Sequence, residues 1–110
     1  MRSTLRDEIY ELHAEICQAL SEPKRILLLY ELADRPSNVG ELVDRLGFSQ
    51  PMISRHLKVL RERGMVRAER DGLNINYSLA DERVIAALDL LRGVLATRLE
   101  KRTALMHALH

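Results

Sequence analysis

The stretch NVGELVDRLGFSQPMISRHLKVLRERG, Asn38–Gly64, decides how this chain folds. Asn38 with Glu41 three residues later is a capping-box pattern, in which each side chain satisfies a backbone N–H that the first helical turn leaves open. Val39, Leu42, Val43 and Leu46 then supply a short amphipathic helix. Gly47 ends it, because glycine accepts left-handed backbone without a steric penalty. Ser49 caps the next helix, which carries Ile53, Leu57 and Leu60 on one side and stops at Arg63-Gly64. Two helices joined by the tight Leu46–Ser49 connection make a helix-turn-helix pattern.

Reading outward toward the N-terminus, Leu5, Ile9, Leu12, Ile16 and Leu20 fall at alternating four- and three-residue spacings. This predicts a helix over 4–20 with one apolar stripe. Ser21-Glu22-Pro23 interrupts it: Ser21 is placed to cap a new helix, and Pro23 is tolerated in that helix's first turn. The second helix (Ile26, Leu27, Leu28, Leu29, Leu32) is apolar nearly all round and is expected at the centre; Asp34–Ser37 ends it. Toward the C-terminus the period switches to two. Met65–Arg70 and Leu73–Leu79 alternate apolar and polar about Asp71-Gly72, which predicts a hairpin. Asp81 is then placed to cap a final helix over 81–108 carrying Val84, Ile85, Leu88, Leu91, Leu95 and Leu99. The expected fold is mainly α: a winged helix-turn-helix of five helices plus a two-stranded wing, forming a single domain over 1–110.

The chain has 110 residues, 46% of them hydrophobic and 30% charged, which fits one globular core and excludes intrinsic disorder. The first eight residues run into charge with no apolar core, so no signal peptide is read there. No apolar run approaches a membrane span. Cys17 is the single cysteine, which fits a reducing cytoplasm. The net charge of +1 hides an uneven distribution: residues 47–70 hold six Lys/Arg against only Glu62 and Glu69, while residues 1–46 hold six against nine acids. A local basic segment is the footprint of phosphate contacts or of a solvated helix face.

At about 100° per residue, the side of the Ser49-capped helix opposite Ile53, Leu57 and Leu60 presents Pro51, Ser54, Arg55, Lys58 and Glu62, flanked by Gln50 and Arg61. The N-terminal part of such a helix enters the major groove. Gln50 suits adenine and Arg55 guanine, each in bidentate fashion. Ser49, Ser54 and Lys58 suit phosphates, as do the backbone N–H groups after Ser49. His56 sits at the core boundary, where a packed, hydrogen-bonded role is favoured over base reading. Arg61 and Arg63 are expected to be solvated or to complement the helix C-terminus. On the wing, whose tip can lie along the minor groove or backbone, Arg70 and then Asn74 are the candidate DNA contacts. Tyr77 alternates onto the apolar side with Ile75 and Leu79.

These residues form a recognisable whole. Leu20–Leu29, Glu41–Arg61 with its Ser-Gln-Pro-x-x-Ser-Arg-His-Leu-x-x-Leu run, Gly64-Met65-Val66 and Gly72–Leu79 closely resemble the ArsR/SmtB family of bacterial and archaeal winged-helix repressors. The resemblance runs from about residue 9 to the start of the last helix. It implies a homodimer joined by the first and last helices, binding an imperfect palindrome in duplex DNA and released by a metal, redox or other small inducer. The stripes Leu5–Leu20 and Val84–Leu99 independently offer a dimer surface.

Metal-sensing members carry ligands that this chain lacks. Val39–Asp44 holds no Cys-x-Cys pair, and Asp81 is followed by Glu82 and Arg83 rather than by the paired ligands of zinc sensors. One constellation remains. His13 and Cys17 lie four apart, and His107 and His110 lie three apart, so two helices meeting at a dimer interface could build a Cys-His₃ site for zinc or a similar divalent ion. The alternative places Cys17 in a core, His13 at a boundary and the two C-terminal histidines in a frayed tail. An enzyme is not indicated, since no nucleophile–base arrangement, phosphate loop or spaced carboxylate pair occurs. The competing function is a winged-helix protein–protein interaction module, with Arg55, Lys58 and Arg70 solvated or paired with an acidic partner.

Overall fold

The computed structural model describes residues 4–109. Helix α1 (Leu5–Leu12) opens with a capping box: the Thr4 hydroxyl accepts the Asp7 N–H at 3.1 Å, and the Asp7 carboxylate reaches back to the Thr4 N–H at 3.4 Å. The predicted helix over 4–20 is present but is not α-helical throughout. A π-turn spans His13–Cys17, with the Gln18 N–H bonded to the His13 carbonyl, and a 3₁₀ turn follows at Ala19–Ser21. The carbonyls released from α-helical pairing are taken by two arginines from elsewhere. Arg63 donates to the Ala14 carbonyl and pairs with Glu15 at 3.4 Å. Arg25 donates to the Ala19 and Gln18 carbonyls at 2.6 and 3.1 Å. Arg63 acts from 49 residues away and Arg25 from six and seven. Together with the Ser21 N–H on Gln18 they satisfy backbone that a regular ladder would otherwise satisfy.

Helix α2 (Pro23–Asp34) starts at Pro23, but its cap is Glu22, whose carboxylate accepts the Lys24 N–H at 3.3 Å. Ser21 does not cap it; its hydroxyl donates back to the Gln18 carbonyl at 2.6 Å. Leu28, Leu29 and Leu32 are buried, whereas Leu27 faces outward, so α2 is central on one side rather than all round. Helices α3 (Val39–Leu46) and α4 (Gln50–Glu62) complete the centre through Leu42, Ile53, Leu57 and Leu60.

Strands β1 (Val66–Asp71) and β2 (Asn74–Leu79) pair antiparallel, with Val66 opposite Leu79 and Asp71 opposite Asn74. The turn is therefore Gly72-Leu73, one residue later than the expected Asp71-Gly72. Gly72 takes φ 63°, which places the glycine first in the two-residue turn, where a hairpin of this length accepts it. Tyr77 and Ser37 exchange backbone hydrogen bonds of 2.8 and 3.0 Å, anchoring the wing to the α2–α3 connection.

Helix α5 (Arg83–Ala108) follows Asp81, whose carboxylate accepts the Arg83 N–H at 2.9 Å and grips its guanidinium. Those hydrogen bonds hold the Asp81 pKa down at about 2. At 26 residues α5 is about 39 Å long. Only its root is fastened, by Leu88 in the core, the Tyr30 hydroxyl bonded to Asp89 at 2.6 Å, and Arg92 stacked 5.2 Å over the Tyr30 ring. The radius of gyration is 17.5 Å, against about 13 Å for a compact chain of this length. Among the described residues no helix is long and apolar enough to cross a membrane.

Candidate nucleic-acid interface

The α3–α4 junction is built as its residues dictate. Asn38 and Glu41 form the capping box at 2.9 and 3.0 Å, Gly47 takes φ 73° at the end of α3, and the Ser49 hydroxyl accepts the Met52 N–H at 3.3 Å. Helix α4 then divides by face. Ile53, Leu57 and Leu60 are fully buried, while Gln50, Pro51, Ser54, Arg55 and Lys58 are exposed. The start of the helix offers less to a phosphate than the bare sequence suggests. Pro51 has no N–H and Met52 gives its own to Ser49, so the Gln50 amide is what the first turn leaves open.

The wing brings further groups alongside. A cleft of about 380 Å³ is walled by Gln50 and Ser54 from α4, Asn38 from the start of α3, and Leu73, Asn74 and Ile75 from the wing. Three of the expected DNA-contacting residues, Gln50, Ser54 and Asn74, thus share one concavity. Arg55 and Lys58 continue the exposed face of α4 beyond it. The strand register puts Arg70 opposite Ile75 and Asn74 opposite Asp71, so Arg70 and Asn74 occupy opposite faces of the ribbon. Asn38, Leu73 and Ile75 are wall residues that the sequence reading missed. Asn38 reads as a cap alone, and only the fold shows where the turn points.

Two basic side chains on or beside α4 serve the protein itself. Arg63 is committed to Ala14 and Glu15. His56 is 8% exposed and lies 3.3 Å from Arg25 through Nδ1. A guanidinium only donates, so Nδ1 accepts and the ring proton sits on Nε2. Burial lowers the His56 pKa, assisted by the charges of Arg25 and Arg55, with Lys24 adding to them and Glu22 opposing.

The expected metal donors do not converge within one chain. His13 and Cys17 are both exposed at the π-turn. Leu12, Ile16 and Leu20 pack beside Val84, Leu88 and Leu91, at the root of α5. His107 lies sixteen residues past Leu91, about 24 Å farther along the helix. His110 lies outside the described residues. Among the described residues no group of three or more His, Cys, Asp or Glu lies close enough to hold an ion. Among the described residues, one protomer alone therefore does not gather the Cys-His₃ set expected between two copies.

Comparison with known proteins is consistent with this geometry. Residues 22–68 match the family model of bacterial regulatory proteins of the arsR family. The HTH-type transcriptional repressor SmtB of Mycobacterium tuberculosis is 42% identical over 74 residues, covering 67% of this chain and 55% of that protein. The matched stretch thus spans about half of SmtB. The uncharacterised HTH-type regulator Rv0081 of the same organism is 38% identical over 94% of this chain and 91% of its own length. Its crystal structure superposes with a TM-score of 0.76 over 86% of this chain and 96% of that one. A homodimeric winged helix-turn-helix DNA-binding domain from Mycobacterium bovis, Mb0332, is 26% identical, with a TM-score of 0.75 over 90% of this chain and 92% of that one. On this fold and these relatives, the chain belongs to the arsR family of bacterial regulatory proteins and has their winged helix-turn-helix fold.

Proposed function

We propose that the chain is a homodimeric transcriptional repressor that binds two-fold-symmetric duplex DNA. The observation that carries this reading is the exposed face of α4, with Gln50, Ser54, Arg55 and Lys58 beside a cleft shared with the wing. Gln50 and Arg55 read base edges in the major groove, to adenine and guanine respectively. Ser49, Ser54 and Lys58 hold phosphates and set the register, with Pro51 in van der Waals contact at the entry point. Arg70 and Asn74, from opposite faces of the wing, reach the flanking backbone and minor groove. A regulator of this kind works beside the chromosome, in the cytoplasm, where Cys17 stays a thiol.

The dimer follows from the arms. Leu5, Ile9 and Leu12 on α1 and Leu91, Leu95 and Leu99 on α5 are all exposed, an apolar surface that a second copy covers. Mb0332, similar in fold, is described as homodimeric. Two α4 helices related by a two-fold axis then enter successive major grooves of one DNA face. A divalent ion held by His13 and Cys17 would take its remaining donors from the second copy, since among the described residues one chain gathers no group of three.

The test is fluorescence anisotropy on a duplex of about 40 bp, selected by the chain from a random pool and long enough for two half-sites. Affinity is expected to fall steeply between about 50 and 200 mM salt. Arg55→Ala should lose about 1–3 kcal/mol on the selected duplex and relax its sequence preference. Lys58→Ala should weaken all duplexes alike and reduce the salt slope by about one. Absence of binding at about 50 mM salt overturns the reading.

A further inference from the structure

Two aliphatic side chains stand at the tip of the wing, and one of them, Leu73, packs against nothing in the chain. Leu73 is fully exposed in the two-residue turn, and Ile75 beside it is also exposed. The turn needs Gly72 at its positive φ, but its second position asks for nothing apolar. Both side chains line the cleft together with Asn38, Val39, Gln50, Ser54 and Tyr77, so they point to the side of the molecule that α4 presents. Arg70 sits directly opposite Ile75 and adds a cation to the same ribbon face.

We propose that Leu73, backed by Ile75, is an apolar wedge that seats in the minor groove of A·T-rich DNA beside the segment read by α4. The claim rests on the DNA-binding reading above. The walls of that groove are deoxyribose C–H surface, which an aliphatic side chain covers well, and Arg70 is placed for the phosphates at its rim. The floor supplies the selectivity. A G·C pair projects the guanine amino group there, which an aliphatic side chain blocks without offering it an acceptor, whereas an A·T pair has no such group. The wing thereby becomes a determinant of composition next to a helix that reads sequence.

Leu73→Ala removes no contact within the core, so its thermal unfolding should match wild type. Binding is measured by anisotropy on alternating A·T and alternating G·C duplexes of about 40 bp, long enough for both half-sites. Leu73→Ala is expected to lower affinity for the A·T duplex about tenfold and to leave the G·C duplex within about twofold. The salt slope should stay as in wild type, because a lost leucine releases no counterions. An unchanged A·T affinity, or an equal fall on both duplexes, overturns the wedge and leaves DNA binding standing. Wild-type protein that binds neither duplex at about 50 mM salt overturns the DNA-binding reading and the wedge with it.

Discussion

Helices α4 and α5 both carry leucines and isoleucines at helical spacing, yet they end in opposite environments. In α4, Ile53, Leu57 and Leu60 are fully buried; in α5, Leu91, Leu95 and Leu99 are 62%, 53% and 46% exposed. The difference lies in what surrounds each helix. Helix α4 is ringed by α2, α3 and β1, whereas among the described residues α5 meets the rest of the chain along its first part, through Val84, Ile85, Leu88, Asp89 and Arg92. Periodicity thus names a face to be covered, and the topology decides whether this chain or a second copy covers it. Both faces carry hydrophobic energy, used for folding in α4 and, in the proposed dimer, for assembly in α5.

Three changes break or sharpen that contrast. The largest effect is expected from Leu57→Ala, which leaves a cavity in the packed centre and should cost about 2–5 kcal/mol in urea unfolding. Leu95→Asp acts on the other face. It should leave the centre folded and weaken self-association at least tenfold in sedimentation, since burying a leucine is worth about 1.5–3 kcal/mol. Equal effects of the two variants on association would erase the distinction between core and arm. The smallest effect concerns His56, on the buried side of α4. Its pKa is lowered below the ordinary 6.5, so below that pH the unfolded chain binds more protons and stability falls as the solution is acidified. The slope should not exceed about 1.4 kcal/mol per pH unit, it should level off once pH passes below the folded pKa, and His56→Gln should flatten it.

The centre was legible in the sequence because its signals are local. The Asn38–Glu41 box, Gly47 and the Ser49 cap each work within four residues, and all three stand where the pattern places them. The first helix was legible as a helix, but not its change of helix type, which is supported in part from a distance. Arg63, 49 residues from Ala14, takes one of its carbonyls, and Arg25 takes two more, so the apolar spacing of Leu5–Leu20 could not report the π-turn. The hairpin was displaced by one residue for a similar reason. Alternation about Asp71-Gly72 allows two neighbouring registers, and the pairing of Tyr77 with Ser37 helps to hold the observed one. At the candidate interface, side-chain chemistry could be read on α4 from helical geometry alone. The place of Leu73 and Ile75 in the cleft depends on how the wing folds back beside α4, which no local pattern encodes.

Hydroxyl-radical footprinting on a duplex selected by the chain itself tests most directly whether the α4 face reads DNA as half of a two-fold assembly. Two protected patches are predicted on one face of the duplex, with centres about 10–10.5 bp apart or a multiple of that spacing. Both should be lost together in Leu95→Asp and weakened together in Arg55→Ala. A single protected patch that survives Leu95→Asp would contradict the dimer, and no protection at all would contradict DNA recognition by α4.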